Sequence, residues 1–151
     1  MNRQTSTPTR FAAFVLLLAP LFGCESPPPA FPVPEGPPIH VALDVQFVGY
    51  TLGTWVIDEF SDALAEQLAK YNVKVVGKKA AADYLAEINL GVWGNRHAID
   101  VYVVHDGQRR PAGRVNVPDL SWTTLDVSAQ LVAPLIARQA WGLPSGRSPE
   151  E

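Results

Sequence analysis

The sequence predicts an α+β sandwich: one mixed sheet of about five strands, in the order β-α-β-(α)-β-β-β-α, with helices packed on a face. Three observations predict it. Apolar and polar residues alternate from Ile39 and again from Glu87 and from Ala98, a helical period fills the stretch from Thr54 to Tyr71, and an apolar helical segment follows the last strand. A helix between the first two strands calls for a parallel, right-handed crossover, whereas the closely spaced later strands call for an antiparallel meander.

Each element has its own warrant. Ile39, Val41, Leu43, Val45 and Phe47 share one face of a strand, and His40, Ala42, Asp44 and Gln46 share the other. Gly49 to Gly53 is a turn, and Thr54 is placed to cap a helix running to Tyr71. Its Val56, Phe60, Ala63, Leu64, Leu68 and Tyr71 recur at helical spacing opposite Asp58, Asp62, Glu66 and Lys70. Val73 to Val76 is a short strand ended by Gly77, and Lys78 to Leu85 reads as a short helix or helical turn. Glu87 to Trp93 alternates again, Gly94 to His97 is a turn, and Ala98 to His105 is a strand with Ile99, Val101 and Val103 inward. Asp106-Gly107 is a hairpin signal. Arg110 to Val117 is a weaker strand in which Pro111 marks an edge or a strand start. Pro118 to Thr124 is a loop carrying Trp122, after which Asp126 is placed to cap a helix from Val127 to Trp141. That helix is apolar over most of its girth and should be largely buried, with a kink at Pro134 unless the helix begins later.

Composition narrows the function classes. The chain has 151 residues with one Cys, 14 Pro and a formal net charge of −3, so one domain is expected. A lone cysteine excludes an internal disulfide scaffold and a thiolate metal cage. The acidic balance speaks against nucleic acid, which demands a basic face.

The first residues form a secretory leader: a cationic stretch with Arg3 and Arg10, an apolar run from Phe11 to Phe22, then Gly23-Cys24. The run is too short to span a bilayer, which takes roughly 20 apolar residues. Leu21-Phe22-Gly23-Cys24 resembles the lipobox of bacterial lipoproteins, in the right position and on the chain's only cysteine. The resemblance implies a diacylglyceryl group and an N-acyl chain on Cys24, with cleavage between Gly23 and Cys24 by signal peptidase II, and no further cofactor. Glu25 in place of Asp implies export to the outer membrane, where the chain would sit on the periplasmic face. The alternative is an ordinary signal peptide and a soluble periplasmic protein. Prolines 27, 28, 29, 32, 34, 37 and 38 then read as an extended spacer, about 45 Å long if fully stretched. The resulting division is a signal peptide over 1–23, a lipidated tether over 24–38, a periplasmic domain over 39–143 and a frayed tail over 144–151.

The order of elements behind a lipobox is similar to the small α/β domains of the TolB amino-terminal, CsgG-type, Pel-export and penicillin-binding-protein-activator families. The resemblance rests on element order and assigns no site residue.

The residues themselves offer little chemistry. His40, His97 and His105 lack the spacing of a metal site, Ser61, Ser121 and Ser128 lack a nucleophile elbow, and Gly49 to Gly53 is not a phosphate loop. Asp44 and Asp100 could approach each other, but separation in sequence does not fix distance in space. Two segments suit binding: Trp93, Arg96 and His97 at one hairpin tip, and Trp122 on the following loop, since Trp and Arg anchor interfaces. Both tryptophans would equally serve to cap the core. Arg109, Arg110 and Arg114 form a basic cluster suited to an anionic surface or to guarding an edge strand.

Two functions are therefore carried forward. One is a non-catalytic outer-membrane lipoprotein whose periplasmic domain docks on, and helps assemble or position, an envelope complex. The other is a periplasmic carrier of lipid or a small ligand, using a cleft between sheet and helices. The membrane is a partner through the anchor, and the oligomeric state is open.

Overall fold

The computed structural model describes residues 27–144. The leader, Gly23, Cys24 and most of the predicted tail lie outside the described residues. Within them the chain runs β1 (Ile39–Val48), α1 (Thr54–Ala69), β2 (Val73–Val75), a 3₁₀ turn (Lys79–Ala81), β3 (Tyr84–Trp93), β4 (Arg96–His105), β5 (Gln108–Val117) and α2 (Trp122–Ala140). The five strands form one sheet in the order β2-β1-β3-β4-β5. β1 is parallel to both β2 and β3, and β3-β4-β5 is an antiparallel meander. This is the predicted α+β class.

Both helices lie on one face of the sheet. Val56, Phe60, Leu64 and Leu68 of α1 and Ala129, Val132, Ala133 and Ile136 of α2 are fully buried against Val41, Ile88, Leu90 and Ile99. α1 carries the chain from β1 outward to β2. Segment 76–83 then returns past β1 to β3 and engages the opposite face, where Lys79 meets the Asp44 carboxylate and Asp83 accepts the His40 N–H at 2.9 Å. Reversing both direction and side keeps the same hand for the two crossovers. It also hides Ala42, only 3% exposed although it points away from the helices.

Several boundaries differ from expectation. Lys78 to Leu85 makes only a single 3₁₀ turn, because Tyr84, Leu85 and Ala86 pair in register with Val41, Ala42 and Leu43 and are drawn into the sheet. Only Gly94-Asn95 separates β3 from β4, with positive φ at Gly94, so Arg96 and His97 are strand residues. Gly53, not Thr54, occupies the cap of α1. α2 begins at Trp122, five residues before the expected start. Its cap is Ser121, whose N–H donates to Thr124 Oγ1 at 2.9 Å, and the early start allows Leu125 to join the core. The helix continues through Pro134, and Val127 and Leu131 are exposed, so its girth is less covered than expected. Pro111 does mark an edge: β5 is the outermost strand, and its register shifts between Val101 and Tyr102 where Pro111 pairs.

The Pro-rich stretch is not all spacer. Phe31 is 9% exposed and belongs to the core, its ring 4.8 Å from that of Tyr71 and its face covered by the Arg138 guanidinium. The Ala30 N–H donates to Tyr71 Oη at 3.0 Å, and Asn72 donates to the Gly36 carbonyl.

One buried group is uncompensated. Ser128 is completely buried within α2, and its Oγ has no hydrogen-bond partner among the described residues. An unmet buried hydroxyl costs about 1–2 kcal/mol, and Ala is the better helix former. Ser128→Ala is expected to raise the melting temperature by about 5 °C, read by thermal denaturation.

Candidate functional site

The topology sorts the molecule into two ends, about 30 Å apart along ten-residue strands. At one end lie residues 30–38, Tyr71, the β4–β5 hairpin and the C-termini of both helices. We call this the tether end. At the other, the distal end, loop 49–53, the β3–β4 turn and loop 118–121 meet the N-termini of both helices.

Trp93, Arg96, His97 and Trp122 all fall at the distal end, Trp93 closing β3 and Trp122 opening α2. Their grouping follows from register, since His97 pairs with Val117 and so sits beside the loop that leads to α2. Tyr50, which the sequence did not single out, joins them. Its Oη lies 3.3 Å from His97 Nδ1, its ring meets the imidazole edge-on at 5.7 Å, and Phe47 supports it from behind at 5.5 Å. Burial raises the Tyr50 pKa, so the phenol keeps its proton. Asp119 completes the group. Hydrogen bonds from Thr124 and Ser121 hold its carboxyl below the usual range, and the nearby His97 adds to this. The only local sequence signal for this knot was the Ser121-x-x-Thr124 spacing.

The distal end also collects exposed apolar groups. Val48, Trp55 and Val92 lie on its rim, Val127 is little more than a turn into α2, and Leu131 is at that helix's midpoint. Val48 and Val92 line one shallow cavity of about 210 Å³ with Asn89 and Asp100.

Arg109 and Arg110 lie instead at the tether end, and the predicted basic cluster is divided. Arg109 binds Glu87 and stacks on Tyr102, 3.4 Å from the ring centroid. Arg114 forks onto Asp100, with its second bond at 2.9 Å. Hydrogen bonding to Glu87 and to Asp100 raises the two guanidinium pKa values respectively, so both remain charged. Arg110 falls on the other side of β5, beside Gln108. These pairs build a polar lattice on the helix-free face. Asp44 and Glu87 are register neighbours, a repulsive pairing that Lys79 and Arg109 neutralise from either side. Asp44 and Asp100 are thus each bound to a cation, with β3 between their strands.

The other histidines converge on Asp83. His40 lies 3.6 Å from its carboxylate, while His105, stacked on Tyr84, puts Nδ1 2.9 Å from its main-chain carbonyl. That carbonyl can only accept, so Nδ1 carries the proton and Nε2 faces Asp106 at 3.2 Å. A cavity of about 280 Å³ opens here, lined by Tyr84, His105, Asp106, Gln108, Arg110 and Gln139 among others. Among the described residues no three His, Cys, Asp or Glu side chains are placed to hold a metal ion, and no helix is long and apolar enough to cross a membrane.

A five-stranded mixed sheet with two helices on one face thus carries a polar lattice on the other face and a loop cluster at one end. No family model and no curated protein matches the chain. Solved structures do. The TolB protein of Acinetobacter baumannii is 11% identical over 74% of this chain and 30% of its own, with a TM-score of 0.46. A PelC dodecamer from Paraburkholderia phytofirmans is 15% identical over 68% of this chain and 90% of its own, at 0.43. The N-terminal domain of Protein Y from Thermus thermophilus is 15% identical over 68% and 98%, at 0.40.

Proposed function

We propose that this chain is a non-catalytic lipoprotein of the outer membrane, held by acyl chains on Cys24, whose distal end docks on a larger envelope complex and helps to assemble or position it. The observation that carries this reading is polarity. The described chain enters the fold at the tether end, while Val48, Trp55, Val92 and Arg96 are exposed beside the half-buried Tyr50 and His97 at the opposite end. Single exposed apolar residues are ordinary, but several gathered on one rim beside Arg and aromatic groups suit an interface. A fixed anchor raises the effective concentration of such a surface near a membrane-bound partner. Packing speaks against the carrier reading, because the space between sheet and helices is filled by Phe60, Leu64, Ile88 and Ile136.

Photocrosslinking in intact cells tests this. A photoreactive residue at Val92 or Val127 is expected to give a discrete protein adduct, and one at the exposed Glu35 of the tether end none. Equal labelling from all three positions, or a co-purifying lipid in native mass spectrometry without any adduct, overturns the docking reading.

A further inference from the structure

We infer that the tether end is a basic surface that rests against anionic phospholipid headgroups and orients the domain with its distal end away from the membrane. The inference rests on the lipid-anchor reading of Cys24 and adds a second, electrostatic contact to it. Docking of Phe31 consumes most of the spacer, leaving Cys24 to Pro29 to reach about 19 Å when fully extended rather than about 45 Å. The tether end is therefore confined close to the bilayer that holds the acyl chains.

The charges at that end suit the position. Lys70, Lys74, Lys78, Lys79, Arg109, Arg110 and Arg138 gather there against Glu35, Glu66, Asp83, Glu87 and Asp106, whereas Asp58, Glu59, Asp119 and Asp126 lie toward the distal end with Arg96. Part of this asymmetry serves the helices, since Lys70 and Arg138 follow or close helix C-termini. Lys74, Lys78 and Arg110 do not. They sit on β2, in the segment after it and on β5; all three are exposed, and none is in an ion pair among those found in the described residues. Gln139 adds a hydrogen-bonding group beside Arg110 in the cavity of about 280 Å³, where the neighbouring Asp106 faces His105. A phosphodiester headgroup fits such a rim: it presents one negative charge and acceptor oxygens.

The test separates this contact from the anchor by using the mature-length chain, residues 24–151, with Cys24→Ser. The core closes within residues 31–143, so the chain keeps its fold. Its binding is measured by co-flotation with phosphatidylglycerol vesicles and with phosphatidylcholine vesicles at 20 mM and 500 mM salt. Binding to phosphatidylglycerol alone, lost at high salt, is expected. Each cation near an anionic surface multiplies partitioning about fivefold, so the triple variant Lys74→Gln, Lys78→Gln, Arg110→Gln should bind about a hundredfold more weakly. Equal partitioning onto both vesicles, an unaffected triple variant, or binding to heparin without binding to phosphatidylglycerol overturns the inference. Palmitate labelling of the wild-type precursor reports independently on the anchor, so failure of either reading is visible without the other.

Discussion

Cys24→Ser is expected to abolish incorporation of labelled palmitate and to release the protein from outer-membrane fractions, while circular dichroism of the domain stays unchanged. The effect should be close to complete. Acyl chains contribute about 0.8 kcal/mol per buried CH₂, so two or three of them anchor a protein stably, whereas one hydrophobic chain binds only marginally. Among the described residues nothing offers comparable attachment, for no helix there is long and apolar enough to span a membrane and a basic surface binds reversibly. Palmitate on the Cys24→Ser variant, or its retention after a high-salt wash, would remove the lipobox assignment and with it the proposed function.

Phe31→Ala is the second large effect. Truncating a buried Phe generally costs 3–5 kcal/mol, and at the margin of the core about 3 kcal/mol is expected. The loss combines the Tyr71 ring contact, the cover of Arg138 and the anchoring of the Ala30 N–H to Tyr71 Oη. Urea denaturation of the mature-length chain measures it, and limited proteolysis should show new cleavage between residues 30 and 38. A change below about 0.5 kcal/mol would mean that Phe31 belongs to a free spacer after all.

What the sequence could and could not disclose follows from where each signal resides. β1 and β4 alternate cleanly because one face is buried and the other bears polar groups, and α1 repeats its apolar residues without interruption. The start of β3 was hidden because Tyr84, Leu85 and Ala86 are apolar on both faces, one packed by helices and the other overlaid near Ala42. The start of α2 was hidden because Thr123 and Thr124 are weak helix formers, and the capping role of Thr124 depends on its hydroxyl rather than its propensity. Phe31 was masked by the prolines around it. Of the site, the tip residues were legible as residue types, but their meeting with Tyr50 and Asp119 depends on sheet register. Register also divided Arg109 and Arg114 between Glu87 and Asp100, a pairing that no spacing in the chain could reveal.

The outer border of β5 has a consequence for molecules crowded together on a surface. Copies confined to two dimensions collide side by side far more often than in solution, and a bare strand flank would let them zip into ribbons. Pro111 offers no N–H within that flank, the register shift interrupts its regularity, and the exposed Arg110 beside it adds a charge. Were the chain held at a membrane through Cys24, pairing between neighbours along this flank should therefore be disfavoured.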